Sequence, residues 1–367
     1  MTGGREKDLC ELRRHTYESS VDRSTVKKLV RQVFKPCRCS EIYSKGGMKE
    51  TTSEEGTGRG QSVCGGHERA LSIQDTVQSL DLREESIATL LCYLELHPDR
   101  WVENQNHVYG SCSIRCYGGA RQLQTLAKKC PPVAVAIAKQ KLDGKQFSVS
   151  SQLDFKVIDV CDSMGWDSGT VKRELKSLMW ESGPDGFRKT GVLVELSDLS
   201  FHFRSRGDLT SQEMDDVLDF LAQRTQHQER AELRQLEMLS SALRSVSHKN
   251  YWMCSEEPDL ERSDKLKRQL EEFFDRDDRD YGQDETEPQL DPSSLNQLTS
   301  DLRHFISLYG QEHTLTGRAI ARIFHGIGSP CFPAETWGRV RRFWRCHLDL
   351  DFKAIIREAT RMLVSLR

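Results

Sequence analysis

Two short pairs of metal-ligating residues set the tightest limit on how this chain can fold: Cys37-x-Cys39 and Cys64-x-x-His67. Three thiols and one imidazole are a donor set that tetrahedral zinc takes. Gly65 and Gly66 let the backbone turn tightly enough for Cys64 and His67 to face one ion. Four protein donors leave no open position for a catalytic water, so such a site is structural and gathers residues 32–71 into one segment. The spacing also leaves a second reading open, two chance pairs in a chain of 12 cysteines, because Cys-x-Cys is less usual than Cys-x-x-Cys. The opening residues, Met-Thr-Gly-Gly-Arg-Glu-Lys-Asp, are charged and have no apolar core. They do not read as a secretion signal, so the cysteines are expected as thiols or ligands and not as a disulfide framework.

The 367 residues suffice for two or three domains with cores of their own. Apolar positions in 6–34 recur at helical spacing, and 40–63 is a Ser/Thr/Gly-rich loop. Two short helices follow within 72–101, with Asp81 as N-cap and Glu84 completing a capping box, and 108–117 alternates as a small hairpin. Two helices and a hairpin are the plan of a winged helix. The plan returns with a helix over 153–164 ending at Gly165, a second helix capped by Asp167 or Ser168, and paired strands over 190–204. At a constant offset of 84 residues Leu80 matches Met164, Leu82 matches Trp166, Ile87 matches Val171, Leu91 matches Leu175 and Leu94 matches Leu178. Residues 208–275 follow as a long helical region, 276–292 as an acidic linker and 293–367 as a basic helical domain. The expected fold is mainly α with small β wings: a zinc-binding segment (32–71), two winged-helix-like units (72–130 and 131–207) and a helical carboxy-terminal domain. The longest apolar run, Val133–Ala138, is far short of the roughly 20 residues that span a bilayer, so no membrane partner is expected.

The net charge of -3 hides an uneven distribution. Residues 275–291 carry eight acidic and two basic residues, whereas 293–367 carry eleven basic and six acidic ones. Lys172, Arg173 and Lys176 fall opposite the apolar stripe of the 168–180 helix, and Arg188 and Lys189 lie on a wing-like segment. That combination suits phosphate contacts beside a duplex, although it also describes an ordinary solvated face. Arg341, Arg342 and Arg345 share a further face, opposite Trp337, Val340 and Trp344, which read as core. No phosphate loop of the form G-x-x-x-x-G-K-[ST] is present. The nearest approaches fail, since Lys189-Thr190 follows Arg188 and Gly144-Lys145 precedes Gln146. No nucleophile is paired with a base.

Several segments resemble the carboxy-terminal half of the RecQ-like DNA helicases of type four. They include Leu12-Arg13-Arg14-His15, Val33-Phe34-Lys35-Pro36-Cys37-Arg38-Cys39 and Val63-Cys64-Gly65-Gly66-His67-Glu68-Arg69-Ala70-Leu71. Others are Thr89–Pro98, Asp162-Ser163-Met164-Gly165-Trp166 and Ile320–Cys331. The resemblance implies a zinc site at Cys37, Cys39, Cys64 and His67, winged-helix platforms, and residues 1–31 as the tail of the second motor lobe. It also implies a parent enzyme that couples ATP and Mg²⁺ to 3′-to-5′ unwinding of forked or structured DNA, with replication or repair proteins as partners in the nucleus. The motor lobes have no counterpart in these residues, so the chain is expected to be inactive as an ATPase by itself. Two other classes stay in view: a free-standing winged-helix DNA-binding regulator and a protein-interaction platform.

Overall fold

The structure, a computed structural model, describes residues 3–45, 63–144, 150–183, 186–254, 256–257, 259–275 and 291–366. Most of the 40–63 loop and of the acidic 276–292 segment lies outside the described residues. In chain order the elements are α1 (Gly3–Glu18), α2 (Arg23–Val33), α3 (Cys39–Lys45), β1 (His67–Ser72), α4 (Ile73–Leu80), α5 (Glu84–Leu96) and β2 (Val102–Cys116). There follow α6 (Ala120–Lys129), α7 (Pro131–Leu142), β3 (Gln152–Lys156), α8 (Val157–Met164), α9 (Ser168–Ser177), β4 (Trp180–Gly183), β5 (Gly186–Lys189) and β6 (Val192–Ser205). The remainder is helical: α10 (Ser211–Val246), α11 (Leu260–Asp275), α12 (Pro292–Tyr309), α13 (Gly317–Phe324), α14 (Ala334–Trp337) and α15 (Phe352–Ser365). The fold is therefore mainly α, with two small antiparallel sheets. Two compact units emerge, a sheet-containing one of residues 23–221 and a helical one of 1–22 with 222–367. The division cuts the 1–31 segment after Asp22 and falls inside α10.

In the sheet unit the strand order β1-β6-β2-β3 is internally symmetric. The symmetry follows the sequence offset. The helices α4 (73–80) and α8 (157–164) differ by 84 positions, as do the starts of α5 and α9 at 84 and 168. Each repeat is a strand followed by two helices. The repeats exchange partners: β1 pairs with β6, the strand after the second repeat, and β3 pairs with β2, the strand after the first. The long strands β2 and β6 pair with each other, from Val102↔Ser205 to Cys116↔Val192. One core of Ile114, Leu123, Val133, Leu153, Val157, Val171 and Leu175 joins the second repeat to β2, α6 and α7.

Four expectations for the sheet unit need correction. Residues 108–116 are no hairpin but part of the continuous strand β2, and 190–204 is no strand pair, since 192–204 belongs to the single strand β6. Alternation marks a strand without saying what pairs with it. Asp198 is left-handed within β6 at φ 66°; before it Val192 and Val194 are buried, and beyond it the four successive residues from Ser200 to Phe203 are all buried. Residues 153–156 are strand β3, and helix begins only at Val157. The Asp81–Glu84 capping box does not form. Asp81 closes α4 at φ 50° with its N–H on the Val77 carbonyl, and α5 starts after Arg83. Its equivalent in the second repeat is Gly165, at φ 64°. Aspartate tolerates this left-handed conformation better than most residues, so both repeats end their first helix identically with different residues.

In the helical unit α12, α13 and α15 enclose an aromatic core of Phe305, Phe324, Trp337, Phe343 and Phe352. Every residue of α13 is buried, including Arg318 and Arg322 at 3% exposure each. The Arg322 guanidinium donates to the Glu18 and Ser20 carbonyls at 2.9 and 3.1 Å, and Arg318 pairs with Asp22 at 3.3 Å. The stretch 6–34 is thus two helices and not one. Its break at 19–22 frees main-chain carbonyls, which buried arginines then satisfy. Tyr17 stacks on Phe352 at 4.4 Å and completes the attachment of α1.

Candidate metal centre and nucleic-acid interface

Helices α2 and α3, strand β1 and the loops beside them bring the candidate ligands together. Cys37 follows α2, and its N–H donates to the Gly207 carbonyl at 3.0 Å. Cys39 opens α3 and His67 opens β1. The N–H groups of Val63 and Cys64 both donate to Asp208 Oδ2, at 3.0 and 2.9 Å. Gly66, at φ 91°, makes the turn between Cys64 and His67. The donor atoms of Cys37, Cys39, Cys64 and His67 all lie within 4.8 Å of one another, and no other such group of metal-capable residues occurs among the described residues.

The donor set fits a tetrahedral ion. A Zn–S bond of about 2.3 Å places sulfurs roughly 3.8 Å apart at tetrahedral angles, within the observed spread. Cys39 Sγ stands 3.3 Å from His67 Nε2, so Nε2 is the nitrogen facing the ligand cluster. The other ring nitrogen, Nδ1, lies 2.9 Å from Asp162 Oδ2 on α8, and Asp162 Oδ1 accepts the Glu68 N–H at 3.0 Å. A carboxylate behind the imidazole fixes its tautomer and orientation toward a metal. Desolvation, reinforced by hydrogen bonds and charge from the Cys37 and Cys64 sulfurs, pushes the Cys39 thiol up to about 12. A dication at the centre of the four donors would supply the charge that lets the Cys39 thiol become a thiolate.

Four supporting residues carry no signal in the linear sequence. Asp162 is 95 positions from His67 and Asp208 is 144 from Cys64. At Gly207 a Cβ would meet the Lys35 carbonyl at 2.7 Å and Cys37 Cβ at 2.8 Å, so only glycine allows the approach that receives the Cys37 N–H. Arg204 donates to the Gly65 carbonyl at 2.9 Å, bracing the turn from β6.

On α9 the apolar side is fully buried at Val171 and Leu175, Arg173 and Lys176 are exposed, and Lys172 is half-buried. Desolvation, and secondarily the charge of Lys176, lowers the Lys172 pKa. Helix α9 is capped by Asp167, whose carboxylate accepts the Thr170 N–H at 2.9 Å. Thr190 ties the β4–β5 hairpin back to the end of this helix, with its hydroxyl on the Leu178 carbonyl at 2.6 Å and its N–H on the Met179 carbonyl at 3.1 Å. Arg188 and Lys189 both lie on the hairpin. Arg188 pairs with Glu181 on the opposite strand, and the Lys189 ammonium sits 5.8 Å from the centre of the Trp180 ring. Two aromatics there escaped sequence reasoning: Trp180 and Phe187 are 48% and 80% exposed.

Arg341, Arg342 and Arg345 do not share a helical face, because 341–349 runs through successive turns. Arg341 and Arg342 are exposed, and the Arg342 guanidinium lies 5.4 Å from the Phe343 ring. Arg345 is left-handed at φ 68° and paired with Glu11. Trp337 is buried, and Val340 and Trp344 pack against the same core.

No family model matches the chain. Among curated proteins it is 43% identical over 384 residues to the ATP-dependent DNA helicase Q4 of Homo sapiens, a match covering 98% of this chain and 32% of that protein. The ATP-dependent DNA helicase Q4 of Mus musculus is 43% identical over 371 residues, covering 98% of this chain and 30% of the relative. The ATP-dependent DNA helicase Q-like 5 of Arabidopsis thaliana is 26% identical over 299 residues, 80% of this chain and 30% of that protein. The chain thus spans about a third of the length of the curated relatives it matches.

Proposed function

We propose that this chain is the DNA-binding, zinc-stapled carboxy-terminal portion of a RecQ-type DNA helicase acting in replication and repair in the nucleus. The observation that carries the reading is the 43% identity over 98% of the chain to helicases of type Q4. The geometry supports it in two places. Cys37, Cys39, Cys64 and His67 form a closed donor set suited to structural zinc. Helix α9 and the β4–β5 hairpin follow a strand–helix–helix repeat in the manner of a winged helix, with Lys172, Arg173 and Lys176 to meet phosphates. The exposed rings of Trp180 and Phe187 on the hairpin would stack on bases where a duplex opens. Arg341 and Arg342 supply a smaller patch in the helical unit, and Arg345 serves more as a brace for α1. ATP and Mg²⁺ would be held by the motor of the full-length parent, and this chain provides the platform on which forked DNA rests. No helix among the described residues is long and apolar enough to cross a membrane.

Titration of labelled forked, plain duplex and single-stranded DNA with the purified chain tests this reading. Expected are binding that weakens steeply with salt, a preference for the fork, one equivalent of zinc by elemental analysis, and no DNA-stimulated ATP turnover. Zinc-free, folded protein that ignores DNA at low salt would sink it.

A further inference from the structure

Between Arg23 and Ser40 the chain carries six basic residues and no acidic one, although acidic residues outnumber basic ones overall, 56 to 53. Helix α2 occupies most of this run and buries Thr25, Val26, Leu29, Val30 and Val33. At 3.6 residues per turn Lys27, Lys28 and Arg31 fall within an arc of about 100° on the opposite side. All three are exposed. Among the described residues none of them has an acidic partner, whereas their neighbour Arg23 pairs with Asp219 at 2.5 Å. Like charges three and four residues apart, as in Lys28/Arg31 and Lys27/Arg31, repel and weaken a helix, and an exposed helix face ordinarily relieves this with interleaved glutamates. This face keeps the repulsion, which a polyanion laid along it would relieve. Lys35 and Arg38 extend the run into the metal-binding segment, beside the cysteine sulfurs. On α2 itself the uncompensated charge rests on Lys27, Lys28 and Arg31. The other basic sites differ: Lys172 is half-buried and Arg188 is paired with Glu181.

We infer that the Lys27–Lys28–Arg31 face of α2 is a second phosphate-binding strip, which takes a nucleic-acid backbone in addition to α9. The inference rests on the DNA-binding reading above and adds to it a site outside both strand–helix–helix repeats. Phosphates carry no sequence information, so the strip holds and orients DNA without choosing among sequences. The test is a Lys27→Gln, Lys28→Gln, Arg31→Gln variant of the full chain, checked for wild-type zinc content and helicity. It is titrated by fluorescence anisotropy against labelled forked DNA across a salt series, beside a Lys172→Gln, Arg173→Gln, Lys176→Gln variant. Expected is a salt slope reduced by about two to three for the α2 variant, equally for unrelated sequences, with restoration by the charge-keeping Lys27→Arg, Lys28→Arg, Arg31→Lys variant. Wild-type affinity and slope in the α2 variant, with losses confined to the α9 variant, overturn the strip and leave the DNA-binding reading standing. Absence of DNA binding by the wild-type chain overturns both. If the neutralised variant loses its fold, single substitutions at each position decide the matter, and three unchanged salt slopes overturn the strip.

Discussion

His67 can present Nε2 to a metal only while something holds the rest of its ring. Asp162 does this from α8, with one oxygen 2.9 Å from Nδ1 and the other on the Glu68 N–H. Replacing Asp162 with alanine is expected to lower zinc affinity by about 10–100-fold, read by competition with a chelating dye. Asp162→Asn keeps an acceptor for the ring N–H and should lose less. Equal affinity in all three proteins would show that Asp162 has no such role. His325 is governed by burial instead. It is 3% exposed, between Tyr17 and Phe352, and its Nε2 has no hydrogen-bond partner among the described residues. Desolvation, the largest cause, holds its pKa down to about 4, against 6.5 ordinarily. The folded state keeps it neutral while the unfolded chain protonates it near pH 6.5, so its contribution is intact above that pH and is lost as pH falls toward 4. The loss amounts to up to about 3 kcal/mol. Thermal unfolding from pH 7 to pH 4.5 should show it, and His325→Phe should flatten the profile.

At the level of elements, β6 connects what the sequence repeat separates. It pairs with β1 on one side and β2 on the other, and Phe203 within it is fully buried. Truncation of Phe203 to alanine should cost about 3–5 kcal/mol in denaturant unfolding of the sheet unit. Because each repeat's strand is paired with the strand that follows the other repeat, hydrogen exchange of β1 and β3 should accelerate together in this variant. Protection lost from β1 alone would mean that the repeats behave as independent folding units.

For the whole molecule, the metal and the titrating histidine fall in different units. All four candidate metal donors lie within 23–221, and His325 lies in the helical unit. Structural zinc contributes roughly 10–16 kcal/mol in small peptides at neutral pH. A strong chelator at pH 7 should therefore lower the melting of the sheet unit, while mild acid should lower that of the helical unit. Calorimetry with and without chelator, at pH 7 and pH 5, separates the two effects. A chelator that leaves every transition in place would remove zinc from the account of stability.

Much of this was legible before any coordinates. The donor tetrad, the mainly helical character, the long helix near 210–246, a helix cap at Asp167 or Ser168, the Gly165 stop and the 84-residue repeat were all visible in the sequence, because they depend on spacing and on local backbone preference. What the sequence could not supply was partnership. Alternation in 108–117 and 190–204 identified strands, but only the folded sheet shows each paired with a strand that lies far off in the chain. Asp81 read as a helix start and proved to be a helix stop, since the same residue type serves both and the neighbouring turn decides. Asp162, Asp208 and Gly207 entered the metal centre from 95 or more positions away. The Arg341–Arg345 face was drawn on a helix that packing around Phe343 replaced with turns. Local periodicity is written in the order of residues. Which surfaces meet is settled by burial of a shared core, and that is a property of the tertiary structure alone.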